Sequence, residues 1–395
     1  MTYIEQDVVQ RAQAEQAGTS ARLRRSVDTK NSLHPGLFLM TNSFETGGTE
    51  RQFVTLIRSL DPSAFRLHLG CIQTKGGFSE GLGRVPQFEL GGSLYKFQSW
   101  KTRWRLSRHL QNHKIAIAHA FDFYTNLTLI PAARIARVPV VIGSHRQIGD
   151  LLTPAQFRAQ AAVFRWCDRI VCNSRAAAES LLQHGLSKNR VVIIRNGLPE
   201  SAFAKTEPAL ARSPKVLRVG MIARMNARYK NHDLFLRVAA QLCEEFSSVE
   251  FLLIGDGPLR SHLERQVKDL RIANRVRFLG DRRDIPAILA SLDISVVPSA
   301  SESLSNVILE SMAAGVPVIA SQVGGNFELL GDDRGVLFPA GNEAALHACI
   351  ARFLRDAELR ARIAEKACRF ARSNFMVEHI AKLYEDLYVE LLAKI

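Results

Sequence analysis

The chain has 395 residues, 47% of them apolar and 23% charged, a composition that excludes a disordered or fibrous protein and a length that suggests two to three domains of about 150 residues. Lys and Arg number 52 against 38 Asp and Glu, a net +14, and residues 1–200 hold 26 basic against 14 acidic residues, so nearly all of the excess lies in the first half. No uninterrupted apolar run is long enough for a membrane-spanning helix, and six scattered cysteines without a CxxC pair predict reduced thiols in a cytoplasmic protein.

In chain order, residues 1–34 are polar and rich in Gln and Arg, which predicts a mobile extension outside the fold. Glu5, Asp7 and the lack of an apolar stretch argue against a signal peptide. Order begins with the apolar run 37–40, read as a buried strand. A loop with Gly47 and Gly48 follows, and Phe53, Leu56, Ile57 and Leu60 then recur at helical spacing until Asp61-Pro62 stops the helix. Strands are predicted at 68–72, 115–119, 139–143, 170–173 and 191–194, with helices at 127–136 and 175–182. Residues 198–214 lack periodicity and read as a linker.

The alternation restarts with a strand at 216–222, a helix at 233–246, a strand at 250–254, a helix at 259–270 and strands at 276–279 and 294–297. Short helices at 285–291 and 306–314, strands at 318–320 and 336–338, helices filling 343–373 and a last helix at 376–393 complete the chain. The fold class is therefore α/β, with parallel sheets covered on both faces. The domains divide as an extension over 1–34, a first domain over 35–197, the linker 198–214, a second domain over 215–373 and a terminal helix segment over 374–395. Ligands are expected in the cleft between the two halves.

The most specific motif runs from Pro298 to Pro317. A strand ends at Pro298, Glu302 lies in the loop that follows, a helix opens near Ser305-Asn306, and Glu310 lies about a turn into it. Free amides at a helix N-terminus suit a phosphate, and two carboxylates beside it suit donors such as sugar and ribose hydroxyls. A surface helix with two solvated glutamates is the plainer alternative. Arg224 follows a strand, and Lys230 returns six residues later; two fixed cations there would neutralise a diphosphate and stabilise it as a leaving group. Gly255-Asp256-Gly257-Pro258 makes a tight turn, and Gly47-Gly48 is either a plain turn or a place where the backbone approaches a ligand closely. His145 and His119 each sit at a strand end, where a lone histidine is more often structural than catalytic.

Together these motifs, with Asn196-Gly197 just before the linker, resemble the family-four retaining glycosyltransferases of the GT-B fold, over residues 36–395. The resemblance implies two Rossmann-like domains facing across a cleft and a nucleotide-sugar donor of UDP or GDP type held mainly by the second. Arg224 and Lys230 would bind its diphosphate, Glu302 the transferred sugar, Glu310 the ribose, and Leu304, Ser305, Asn306 and Val307 the sugar and phosphate through their amides. Gly255 and Gly48 would line the donor site and His145 would lie near the sugar, with Arg224, Lys230, Glu302 and His145 as the catalytic group. The terminal helix would cross back onto the first domain. Arg146 departs from the small polar residue expected after His145.

With no Asp-x-Asp in the chain, no metal and no other cofactor are expected. The acceptor would be a saccharide or a lipid-linked saccharide in polysaccharide biosynthesis. A nucleotide-sugar epimerase on the same fold and a basic nucleic-acid-binding protein are the rival readings, although no nucleic-acid-binding module is visible. Between Lys96 and Lys114 six Lys or Arg and no acids alternate with Phe97, Trp100, Trp104, Leu106 and Leu110. That pattern suits an amphipathic helix touching an anionic membrane at the inner face of the cytoplasmic membrane, or a core helix with a solvated basic face.

Overall fold

The short, unbroken apolar runs become strands buried on both faces, the arrangement a parallel sheet requires. The computed structural model describes residues 34–45, 47–91, 97–213 and 215–395; the extension read over 1–34 lies, His34 aside, outside them. The first sheet joins β1 (Gly36–Thr41), β2 (Arg66–Cys71), β3 (Ile115–Ala120), β4 (Val140–His145), β5 (Arg169–Cys172) and β6 (Val191–Ile193). Their order is β2-β1-β3-β4-β5-β6 and every pair is parallel. Its helices are α1 (Gly48–Ser59), α2 (Phe97–Asn112), α3 (Phe123–Ile135), α4 (Pro154–Phe164) and α5 (Arg175–Gln183).

The second sheet joins β7 (Leu217–Ile222), β8 (Val249–Ile254), β9 (Val276–Phe278), β10 (Ile294–Val297), β11 (Val318–Ser321) and β12 (Val336–Phe338) in the order β12-β11-β10-β7-β8-β9. Around it lie α6 (His232–Glu245), α7 (Arg260–Asp269), α8 (Ile285–Leu289), α9 (Asn306–Ala313), α10 (Asn326–Leu330), α11 (Glu343–Arg355) and α12 (Ala357–Asn374). Strand order reverses beside β1 in one sheet and beside β7 in the other, and the carboxyl ends of strands at such reversals are where α/β sheets bind ligands.

Helix α4 escapes the apolar periodicity because only Phe157, Gln160 and Phe164 face inward. A reciprocal Thr153/Gln156 capping box and Pro154 in the first turn define it instead. Residues 198–213 connect the sheets without being loose. Leu198 is buried, its N–H donates to the Phe375 carbonyl at 2.7 Å, its carbonyl accepts from the Val377 N–H at 2.9 Å, and the Ala209 N–H donates to the Ala287 carbonyl at 2.9 Å. The chain thus crosses between the lobes twice, side by side.

After the second crossing, α13 (Val377–Leu392) packs Ile380, Tyr384, Leu387, Tyr388 and Leu391 into the same core cluster as Leu37, Phe53 and Ile117 of the first lobe. Burial of side chains this size contributes on the order of 1.5–3 kcal/mol each. The Arg169–Glu390 ion pair at the helix edge is 3.5 Å long with Glu390 half exposed, and such pairs contribute about 0–1 kcal/mol. Apolar contact, not charge, docks this helix.

Candidate active site

The carboxyl ends of β1, β4, β7 and β10 open into a cleft of about 310 Å³ between the two lobes. On the second-lobe side, Arg224 follows β7 by two residues and faces the cleft. Its loop is pinned from the neighbouring turn: the Met225 N–H donates to the Asp256 carbonyl at 2.9 Å, and the Leu259 N–H donates to the Met225 carbonyl at 2.9 Å. Gly255 makes that fit possible. Its φ is +130°, and a Cβ there would lie 2.2 Å from the Ala223 carbonyl oxygen, so no side chain is tolerated.

Lys230 ends a short 3-10 turn, Arg228–Lys230, and Asn231 follows with φ of 60°. The Asn231 side chain donates to the Pro298 carbonyl at 2.8 Å, and the Ala300 N–H donates to the Tyr229 carbonyl at 2.7 Å. These bonds draw the turn onto the loop that carries Glu302, and Lys230 Nζ meets Glu302 Oε1 at 2.6 Å. Burial pulls the Lys230 ammonium down, but the Glu302 charge, the neighbouring Tyr229 and the Glu302 hydrogen bond together outweigh it and hold its pKa above the ordinary lysine value. Lys230 is therefore a fixed cation, and Glu302 is already engaged before any ligand arrives.

Ser305 caps α9, its hydroxyl accepting from the Ile308 N–H, which leaves the preceding amides without intrahelical partners. Leu304, Ser305, Asn306, Val307 and Glu310 all line the cleft. The Leu304 side chain is buried in the core, which leaves its backbone to face the cleft. The Asn306 side chain is committed across the cleft: Nδ2 donates to the Gly48 carbonyl at 2.9 Å, and Oδ1 accepts from Asn196 at 2.7 Å and Gln52 at 3.2 Å. A Cβ on Gly48 would lie 2.8 Å from Asn306 Nδ2, which explains a glycine at the start of α1. Further along α9, Glu310 forms an ion pair with Arg51 of the first lobe.

His145 requires a correction: it does not line the cleft. Alternation along β4 turns its ring away from the Ser144 side and under α4, edge-on to Phe157 and Phe164 at 6.1 and 6.0 Å. It is fully buried, neither ring nitrogen has a hydrogen-bond partner among the described residues, and burial pushes its pKa down to about 3. That ring is neutral and packed in the core. The next residue, Arg146, enters the cleft instead. His119 is also buried, with Nδ1 at 2.8 Å from the Tyr388 hydroxyl and Nε2 at 2.8 Å from the Ser144 hydroxyl, so it ties α13 to the sheet. Burial, then the Arg146 charge, lower its pKa to about 3.

The motifs did not single out several cleft residues: Arg51, Asn173, Tyr229 and Arg282, and Arg146 except as a departure. Each is an ordinary residue type in a loop or first turn, and the usable signal was only proximity to a strand end. Among the described residues no group of three His, Cys, Asp or Glu converges to hold a metal ion.

Helix α2 splits its residues between two faces. Leu106 and Leu110 are buried in the core, so Leu110 does not belong to an exposed apolar face. Phe97, Trp100 and Trp104 are 84%, 63% and 56% exposed; Lys96 lies outside the described residues. A groove of about 820 Å³ beside this helix is lined by Trp100, Pro131, Ile135, Val163 and Trp166, with Arg134, Arg165 and Arg190 around it. No helix among the described residues is long and apolar enough to cross a membrane.

Comparison with known proteins follows the two lobes. Residues 46–201 match the family model described as Glycosyltransferase Family 4, and residues 216–356 match that described as Glycosyl transferases group 1. The lipopolysaccharide core biosynthesis glycosyltransferase LpsE of Rhizobium meliloti is 30% identical over 60% of this chain and 67% of its own length. The UDP-Gal:alpha-D-GlcNAc-diphosphoundecaprenol alpha-1,3-galactosyltransferase of Escherichia coli is 26% identical over 78% of this chain and 83% of its own. Among curated relatives the alignments take in from 38% to 96% of the relative's length. The crystal structure of Anabaena HepE in complex with UDP-glucose superposes with a TM-score of 0.78 at 23% identity, covering 92% of this chain and 100% of that one. That likeness establishes the same two-lobed fold.

Proposed function

The chain belongs to the family 4 glycosyltransferases of the GT-B fold, and from that premise we propose that it transfers a hexose-type sugar, with retention of configuration, from a nucleotide-diphosphate sugar to a saccharide or lipid-linked saccharide acceptor in polysaccharide biosynthesis. The observation that carries this reading is the convergence, at one cleft, of Arg224, Lys230, the free amides of α9 and the two carboxylates Glu302 and Glu310. Cations and helix-terminal amides suit the diphosphate. The carboxylates suit hydroxyls, which would take over from Lys230 and Arg51 as their partners.

In this reading Arg224, Lys230 and the α9 N-terminus stabilise the charge that grows on the diphosphate as the bond from the anomeric carbon to the phosphate oxygen breaks. They take the part that a metal plays elsewhere. The acceptor oxygen attacks from the face the diphosphate leaves, and its proton passes to the departing phosphate oxygen. His145, packed under α4, has no part in these steps.

Thermal denaturation with UDP, GDP or ADP, with and without EDTA, tests the donor site. One nucleotide is expected to raise the Tm in both conditions, and the absence of any shift sinks the reading. Proton NMR of the product then reads the anomer. Release of an epimerised free nucleotide sugar, with no transfer, would establish the epimerase instead.

Contact with an anionic membrane belongs to the same proposal. The exposed indoles of α2 and the groove beside it are an apolar surface whose rim carries more cations than acids, Asp168 being paired with Arg134, the composition that interfacial binding uses. Sedimentation with phosphatidylglycerol vesicles is expected to carry the protein down, phosphatidylcholine vesicles much less so, and the double variant Trp100→Ala/Trp166→Ala is expected to remain in solution. Equal partitioning to both lipids removes this part.

A further inference from the structure

Resting on the reading of the cleft as a donor site, we propose that Arg146 anchors a second subsite, on the first-lobe side, that takes an acceptor carrying a phosphate or carboxylate group. Among the described residues five cations line the cleft: Arg51, Arg146, Arg224, Lys230 and Arg282. Three are already matched by carboxylates, Arg51 by Glu310, Lys230 by Glu302 at 2.6 Å, and Arg282 by Asp284 at 2.6 Å. Arg224 stands at the carboxyl end of β7, where the donor diphosphate is placed. Arg146 is the cation this scheme leaves over.

Its surroundings are unlike those of Arg51, Lys230 and Arg282. Arg146 donates to Asn196 Oδ1 and, at 3.4 Å, to the Tyr384 hydroxyl, and its guanidinium lies over the Phe121 ring at 5.5 Å from the centroid. All three partners are neutral, and among the described residues it forms no ion pair with a carboxylate. The nearby Glu50 is pushed by burial toward its neutral form and feels Arg224 more strongly than Arg146. A half-buried guanidinium whose direct partners are all neutral, with no carboxylate bonded to it, keeps its charge available. Its planar fork is matched by a carboxylate or phosphate better than by any neutral group.

The direction of that fixing assigns the subsite to the acceptor. Phe121 follows β3, Asn196 follows β6, and Tyr384 comes from α13, which is docked on the first lobe. Arg146 is thereby held to the first lobe, whereas Arg224, Lys230 and the α9 amides that suit the donor all belong to the second. An anion gripped by Arg146 would lie opposite the donor diphosphate, across the cleft from Lys230 and Glu302. A neutral saccharide would leave this charge without an anionic partner, which disfavours it relative to an anionic acceptor.

Calorimetric titration of the full chain tests the assignment in two steps. Nucleotide affinity is measured first for wild type, Arg146→Gln and Arg146→Lys. With the nucleotide saturating, glucose 6-phosphate, glucuronate and farnesyl diphosphate are then titrated against glucose and farnesol. Wild type is expected to bind at least one anionic probe about tenfold or more tighter than its neutral counterpart, the difference a charge-assisted bidentate contact supplies. Arg146→Gln should erase that preference while nucleotide affinity changes by less than about twofold, and Arg146→Lys should recover part of it.

Three results overturn the proposal: no anionic preference in wild type, a preference that survives in Arg146→Gln, or a loss of nucleotide affinity in Arg146→Gln comparable to the expected anion effect. The last would give Arg146 to the donor diphosphate. Failure of wild type to bind any nucleotide removes the underlying donor reading instead, and is seen in the first step before any acceptor probe is added.

Discussion

The two lobes share a parallel-sheet plan, yet they bring charge to the cleft in opposite ways. On the second-lobe side the carboxylates are paired before a ligand arrives: Lys230 sits on Glu302, and Arg51 reaches across to Glu310. The first lobe holds Arg146 between an amide, a phenol and an aromatic face, and behind it buries two neutral histidines, His119 and His145. Paired charges can be exchanged for substrate groups of the same sign. Charges set in a neutral frame offer no such exchange; they select.

The largest effect expected from this contrast is at Lys230. Lys230→Ala removes the cation and leaves Glu302 facing the cleft without its partner, so a lone negative charge replaces an ion pair beside the proposed diphosphate site. Loss of one preorganised electrostatic group typically costs about 10²–10³ in rate. The variant should lose at least that in kcat/KM, read by nucleotide release, with its far-ultraviolet circular dichroism unchanged. A loss under tenfold would mean the second lobe does not work by ion-pair exchange.

A stability measurement probes the first lobe. His119 and His145 have folded pKa values of about 3 against an ordinary 6.5, chiefly through burial. A base depressed in the fold contributes stability that is complete above about pH 6.5 and is lost as pH falls towards its folded value. Each therefore costs about 2 kcal/mol between pH 7 and pH 5. Asp122 works the other way. Burial raises its carboxyl to about 6, so its contribution is present at low pH and is lost as pH rises through 6, offsetting about 1 kcal/mol over the same interval. Urea unfolding at the two pH values should show His145→Leu losing about 2 kcal/mol less than wild type on acidification. Equal losses would mean that the His145 ring is not held neutral in the core.

The same contrast explains what could be read from the chain alone. Arg224, Lys230, Glu302 and Glu310 stand a few residues past strand ends or in the first turns of a helix, so local spacing was enough to find them. Arg51 and Glu310 are 259 positions apart, Gln52 and Asn306 are 254, and Arg146 and Tyr384 are 238. No local pattern carries such pairings, because they exist only once α13 and the crossing at Leu198 have fixed one lobe against the other. His145 was misplaced for a different reason. Side chains alternate along a strand, and deciding between His145 and Arg146 at the end of β4 required the register of the sheet and the position of α4, a helix whose apolar spacing is too sparse to declare itself. The two-sheet architecture survived these errors because it rests on many buried strands, each needing only to be apolar.

The smallest effect is also the most discriminating, since it is a matter of sign. If Glu310 serves the nucleotide by accepting from its hydroxyls, Arg51 competes for that carboxylate while the cleft is empty. Glu310→Ala should then weaken nucleotide binding by about tenfold, the worth of a hydrogen bond to a charged group. Arg51→Ala should strengthen it by about threefold, the worth of a partly exposed ion pair near 0.5–1 kcal/mol, and the gain should shrink as added salt screens the pair in wild type. Titration calorimetry at two salt concentrations measures both. Weakening by Arg51→Ala would place that guanidinium on the nucleotide itself. The cross-cleft pair would then be a shared anion site rather than a partner waiting to be displaced, and the exchange of ion pairs would be confined to Lys230 and Glu302.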